Sequence, residues 1–236
     1  MREIYTKMFK ILVLFFTICS YSQNPEEFSP KSLSDKQIKT KINQLNKEKY
    51  IKNQKYVFIP NKIFVDNDTI KKQGFFSAMP NEFDLEGSYS LLGKKLPDYN
   101  LERQTGGNFS SNQLIDKPTI INFWFTECHP CLEEIPVLNY LKEKYGDKIN
   151  TIAITFEDRA KVLNYDKKFH FQFERLINAD KYITQIGITS FPKIILLDKN
   201  NIVRYIPISI YSSQNEKTSE ILLKLFEMEI ESLINE

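Results

Sequence analysis

The sequence predicts an α/β fold preceded by an N-terminal extension, on three observations. Apolar, β-rich runs recur along residues 91–236, namely "KPTIINFWF", "INTIAITF" and "KIILLDK". Helix-period segments separate them, the alternation expected of helices packed on a sheet. Residues 23–90 do not share that alternation; they begin polar, rich in Lys, Ser, Asn and Gln, and continue as short strand-like runs. With 42% hydrophobic and 26% charged residues among 236, the chain suits one globular domain with room for such an added segment.

Residues 1–22 read as a signal peptide for export. Lys7 and Lys10 precede the apolar run "ILVLFFTI", which is far shorter than the ~20 residues that span a bilayer. "SYSQ" follows, with the small residues Ser20 and Ser22 placed for cleavage before Gln23. The expected location is periplasmic or otherwise extracytoplasmic. Lipidation at Cys19 is the rival route, making a lipoprotein, although Ile18 stands where a lipobox wants a small residue. Translation from Met8 would leave the rest of the reading unchanged. The chain carries 32 Lys+Arg and 30 Asp+Glu; without Arg2, Lys7, Lys10 and Glu3 the mature balance is 29 against 29. A neutral protein gives no reason for a nucleic-acid or anionic-membrane partner. A membrane enters only through the signal or Cys19.

In the extension, residues 34–45 predict a helix seeded by Asp35. "KYVFIP", "KIFVDNDTIKKQ" and "GFFSAMP" predict short strands joined by Asn/Asp turns. From Leu96, "LPDYNLE" and "NFSSNQL" read as a short hairpin leading into a turn. "KPTIINFWF" has the composition of a central strand buried on both faces. A helix over about 128–145 follows and stops at Gly146. "INTIAITF" is a second buried strand, "EDRAKVLNYDKKF" a helix, and "ERLINA" is followed by a short edge element through "DKYITQIGI". The strand "KIILLDK", a turn at Asn200-Asn201 and "IVRYIPI" come next. An amphipathic helix over 215–233 closes the chain, with Ile221, Leu222, Leu225, Phe226 and Ile230 toward one side. The order is β-α-β-α-β-β-α.

After signal cleavage only Cys128 and Cys131 remain. Export places them where disulfides form readily. A pair this close makes a poor staple, because closing a tiny loop removes little entropy from the unfolded chain. Chemistry is the better reading. Cys128 falls at the N-cap of the predicted helix, where the dipole and the free first-turn amides stabilise a thiolate. Pro130 has no N–H, so the amide that reaches the Cys128 sulfur is that of Cys131. The expectation is an exposed first thiol of depressed pKa and a less accessible second thiol that resolves a mixed disulfide.

"INFWFTECHPCLEEIP" resembles the active-site segment of the TlpA/ResA-like branch of the thioredoxin superfamily, roughly N-F-W-x-x-W-C-x-P-C-x-x-E-x-P. Asn122, Phe123, Trp124, Cys128, Pro130, Cys131, Glu134 and Pro136 fall in place. "LPDYNLE" resembles that family's entry strand. "IGITSFPKIILLDKNN" resembles its segment carrying a cis-proline, which falls on Pro192. The resemblance covers about 91–236. It implies a thioredoxin-like fold, a central mixed sheet flanked by helices, and a thiol-disulfide oxidoreductase that reduces disulfides of exported clients without a cofactor or metal. Its partners would be disulfide-bearing or thiol client proteins and an upstream thiol electron donor. It also implies that Glu134 accepts a proton from, or tunes, the buried thiol. Phe191 and Pro192 would bind substrate, the Phe191 backbone pairing with an extended strand. Trp124, mainly a core residue in this reading, would border that substrate site. His129, when protonated, would favour the thiolate. Glu127 would oppose it. Glu127 stands in place of the family's tryptophan and Lys193 in place of its threonine; both bear on client preference and potential. The expected potential lies between about −270 and −180 mV, on the reducing side.

Other chemistries fit less well. Haem attachment wants His directly after the second cysteine, where Leu132 stands. Structural zinc wants four ligands, and two cysteines with His129 and His170 make a poor set. A peroxiredoxin-like peroxidase would want Thr three residues before its cysteine; Thr126 is two before, and Asn122 takes the place of an expected proline. A non-catalytic or copper-handling binding module remains the third alternative. Glu157-Asp158 read as helix-start residues.

Overall fold

The computed structural model describes residues 28–48, 54–66, 69–81, 85–114, 116–166, 170–212 and 215–236. The export-signal reading and Cys19 lie outside them. The chain divides into two compact units, Met1–Tyr89 and Ser90–Glu236.

The first unit contains β1 (Phe28–Leu33), α1 (Asp35–Glu48), β2 (Gln54–Asp66) and β3 (Thr69–Pro80). A reciprocal cap starts α1: Ser34 N–H donates to Gln37 Oε1 at 2.8 Å, and Gln37 N–H returns to Ser34 Oγ at 3.4 Å. Ile38 and Leu45, seven positions apart on one helix face, bury against Tyr56, Phe58 and Phe76. The three expected strands are two. Pro60 cannot donate to the ladder, and a register shift between Pro60 and Lys62 absorbs it without ending β2. Opposite, Gly74 lets the backbones approach: a Cβ there would sit 2.1 Å from the Ile59 carbonyl oxygen.

The second unit contains β4 (Asn100–Arg103), β5 (Asn108–Ser110), β6 (Thr119–Phe123), α2 (His129–Tyr145), β7 (Asn150–Ile154), α3 (Arg159–Asp166), β8 (Glu174–Ile177), α4 (Asp180–Gln185), β9 (Lys193–Leu197), β10 (Val203–Tyr205) and α5 (Glu216–Ile234). Its strands lie in the order β10-β9-β6-β7-β8-β4-β5. β6, β7 and β8 run parallel; β9 and β4 are antiparallel to their neighbours β6 and β8. This is the mixed, helix-flanked, thioredoxin-like sheet that the resemblance implies. Every residue of β6 and β9 is buried, Thr119, Asn122 and Lys193 included, as their largely apolar runs suggest. On one face Ile120, Trp124, Ala153, Ile194 and Leu196 pack with Leu138 and Leu141 of α2, Val162 of α3, and Phe226, Ile230 and Leu233 of α5. Gly146 stops α2 with a φ of 51°, returning its N–H to the Lys142 carbonyl.

Two details differ from expectation. "DKYITQ" is helical, burying Tyr182 and Ile183; a six-residue segment with two adjacent apolar residues carries no decisive period. In α5 the buried face is Phe226, Ile230 and Leu233; Ile221 and Leu225 are 53% and 48% exposed. One residue along a helix is a rotation of about 100°, so Leu225 and Phe226 cannot both face the core.

Candidate active site

The site begins where β6 ends. Trp124 N–H donates to the Ile154 carbonyl at 3.1 Å, carrying the β6–β7 ladder one residue further before the chain turns. Cys128 N–H then reaches the Phe125 carbonyl at 3.1 Å. Cys128 is extended (φ −85°, ψ 94°) and caps α2; its sulfur accepts the Cys131 N–H at 3.3 Å. Pro130 in the first turn leaves that amide as the donor. The two sulfurs are joined as a disulfide, with the Cα atoms 5.2 Å apart. Cys128 is only 4% exposed and Cys131 1%. The first cysteine is thus less open than the sequence suggests, because both sulfurs join the core cluster that holds Trp124 and Ile135.

Glu134 lies three residues beyond Cys131 on α2 and is 3% exposed. Burial pushes its carboxyl up to about 7, against a backbone hydrogen bond from Ile210 and the contact with Ser209 that pull it down. Ser209 Oγ is 3.3 Å from Glu134 Oε1 but 2.6 Å from the Tyr211 carbonyl. A hydroxyl has one proton, and the shorter, better acceptor takes it. Ser209 Oγ also accepts the Tyr211 N–H at 3.1 Å. Shared with Tyr211, the Ser209 hydroxyl donates only weakly to Glu134 Oε1, so it offsets little of the burial cost. Glu134 Oε2 is buried without a hydrogen-bond partner among the described residues. The arrangement favours the neutral acid and leaves it poised to lose or gain a proton near neutrality.

The polar side chains around the dithiol come in pairs. His129, exposed, has Nδ1 3.4 Å from Glu133. Glu127, also exposed, faces Lys161 at 3.7 Å. Lys161 is 2.7 Å from buried Glu157, which accepts both the Thr126 N–H (2.7 Å) and the Thr126 hydroxyl (3.0 Å). The Phe191–Pro192 bond is cis. The Phe191 ring packs edge-on against Phe125 at 5.5 Å and Phe156 at 5.8 Å. No group of three or more His, Cys, Asp or Glu among the described residues is arranged to hold a metal ion.

The AhpC/TSA family model matches residues 92–206. The thioredoxin-like protein YneN of Bacillus subtilis is 27% identical over 116 residues, 48% of this chain and 68% of that one. The thiol-disulfide oxidoreductase ResA of Bacillus thuringiensis is 30% identical over 131 residues, 54% of this chain and 71% of that one. The chain belongs to the ResA-like thiol-disulfide oxidoreductases. Among solved structures, a thiol-disulfide oxidoreductase from Bacteroides fragilis aligns with a TM-score of 0.47 at 20% identity, covering 56% of this chain and 99% of that one.

In this ResA-like enzyme two sequence assignments have to be corrected. Trp124 is fully buried, its ring packed on Tyr165 at 5.2 Å and Phe171 at 5.5 Å. It supports the sheet beneath the dithiol and has no surface with which to touch a substrate. Glu157 also differs: Asp158 is the helix-start residue, its Oδ1 accepting the Lys161 N–H at 2.8 Å, while Glu157 is buried under the active-site loop. The sequence reading missed Glu157, Lys161 and Ser209 as neighbours of the site. The four-residue spacing of Glu157 and Lys161 signals an ion pair on a helix. Nothing local signals that the pair meets Thr126. His170 is exposed, and its backbone carbonyl accepts from Asn139 Nδ2 at 2.7 Å.

Proposed function

We propose that this oxidoreductase is exported and reduces disulfides of extracytoplasmic client proteins, with Cys128 attacking and Cys131 resolving. The observation that carries the assignment is the N-cap position of Cys128, whose sulfur accepts the Cys131 amide. In the reduced enzyme the same amide and the helix terminus stabilise a Cys128 thiolate; Cys131, inside the first turn, has neither. The thiolate attacks one client sulfur, forming a mixed disulfide, and the released client thiolate takes up a proton. Glu134 accepts the proton of Cys131, whose sulfur then displaces the second client thiolate from Cys128. The client gains two electrons and two protons, and the Cys128–Cys131 disulfide forms. An upstream thiol donor returns the electrons. Phe191 and Pro192, beside Phe125, form the surface on which the client rests. Because the His129 imidazole lies beside Glu133 and the Glu127 carboxylate beside Lys161, neither dominates, which supports a potential between about −270 and −180 mV. The basic start and short apolar run of residues 1–22 support export.

Insulin reduction with dithiothreitol tests the activity: the wild type accelerates precipitation and Cys128→Ala does not. A Cys131→Ala variant traps the client as a stable mixed disulfide. Peroxide consumption without insulin reduction would sink the reductase reading in favour of the peroxidase that the AhpC/TSA match brings into view. A mature mass beginning at Gln23, or a lipid on Cys19, decides the processing route; an unprocessed chain would refute export.

A further inference from the structure

We propose that Lys161 is a positioning residue for the dithiol, holding the loop before Cys128 through Glu157 and offsetting the charge of Glu127. This rests on Cys128 being the attacking thiol. Lys161 Nζ bridges two carboxylates that approach that loop from opposite situations, buried Glu157 at 2.7 Å and exposed Glu127 at 3.7 Å. Glu157 in turn grips Thr126 by its N–H and hydroxyl, two residues before the cysteine. A buried carboxylate is tolerated when it is paired and fully hydrogen-bonded. Here one cation and two loop donors fill that need.

The support is rigid on the far side. Asp158 caps the amide of Lys161, and Arg159 Nη2 reaches Glu102 on β4 at 2.5 Å and the Arg103 carbonyl at 3.2 Å. The Glu157 carbonyl accepts the Asn178 N–H at 2.9 Å, and its own N–H donates to Thr155 Oγ1 at 3.2 Å. Lys161 is thus presented from a fixed helix start.

Reducing the disulfide to the attacking form takes two electrons and one proton: the proton goes to the Cys131 sulfur, and the negative charge stays on the Cys128 sulfur. The titratable groups around it are Glu127 on the preceding loop, His129 with Glu133 on its own helix and Glu134 on that helix's buried face. Glu157 lies in the turn before α3 and Lys161 on α3 itself, and buried Lys193 follows Pro192 at the start of β9. Removing Lys161 leaves Glu127 and Glu157 as two carboxylates acting on one loop with no cation between them. The Cys128 thiolate loses support and the disulfide gains relative to the dithiol, so the enzyme becomes more reducing and attacks more slowly at neutral pH.

The test compares wild type, Lys161→Met, Lys161→Arg and Glu127→Gln by equilibration with glutathione, and titrates the Cys128 thiolate by absorbance in a Cys131→Ala background. Lys161→Met is expected to lower the thiolate population at neutral pH by about two- to fivefold and to shift the glutathione equilibrium toward the disulfide by a similar factor, the range of a single partly exposed charge pair. Glu127→Gln shifts both the opposite way, and Lys161→Arg restores wild-type values. A Lys161→Met protein that loses melting temperature while titration and equilibrium stay fixed would show a merely structural role and overturn the proposal. If Lys161→Met does not fold, the exposed Glu127→Gln decides alone, and no shift there overturns it. A Cys128 pKa at or above that of Cys131 in the parent protein overturns the nucleophile assignment and this proposal together; a low Cys128 pKa indifferent to both variants overturns this proposal only.

Discussion

Replacing Glu134 by Gln should remove a pH-dependent cost from folding. The carboxyl sits at about 7 in the folded protein against an ordinary value of 4.5, because burial penalises its charged form. Between those values the native state keeps a proton that the unfolded chain has released. Stability therefore falls as pH rises through this window, the reverse of the usual carboxylate case. The difference of about 2.5 units, at about 1.4 kcal/mol each, makes the full cost roughly 3 kcal/mol above pH 7 and nothing below about 4.5. Gln copies the shape of the protonated acid, can donate to Ser209 Oγ, and does not titrate. Urea unfolding of the oxidised proteins, followed by the fluorescence of the single tryptophan, Trp124, reads the second unit specifically. The expected result is that Glu134→Gln gains about 3 kcal/mol on the wild type between pH 4.5 and pH 8. Taking the difference at each pH cancels every other titrating group. A constant difference across that range would refute the reasoning, since Glu134 would then be ionised in the native state without cost.

Two further outcomes follow from packing. Phe226→Ala should cost about 3–5 kcal/mol by the same fluorescence assay, whereas Ile221→Ala on the exposed face of α5 should stay within about 0.5; similar values for the two would mean the helix is rotated. Gly74→Ala forces a methyl against the Ile59 carbonyl and should cost about 1–3 kcal/mol, seen as roughly 5- to 150-fold faster amide exchange in β2 and β3; unchanged exchange would contradict the close approach.

Much of this protein is readable from its residues alone. β6, β7 and β9 are visible because strands buried on both faces need largely apolar runs. The ends of α2 are visible because capping acts over three or four residues: Cys128 and Pro130 at one end, Gly146 at the other. For the same reason the dithiol and Glu134 can be picked out together, lying within one short stretch of a single helix. The orientation of α5 is not readable. Ile221, Leu222, Leu225 and Phe226 are all apolar, and only the shape of the surface they meet chooses among them.

The pattern of residues accordingly settles which atoms can do redox chemistry, since an N-cap sulfur and the first-turn amide are neighbours by covalent connection alone. It cannot settle the charges those atoms feel. Thr126 and Glu157 are 31 residues apart, and Glu134 and Ser209 are 75 apart. The proton affinity of Glu134 depends on how completely the fold removes water from it, and the field at Cys128 on which side chains the sheet and α3 bring within a few ångströms. Both are properties of long-range packing, which places distant segments side by side and excludes solvent between them; neither is carried by any one segment.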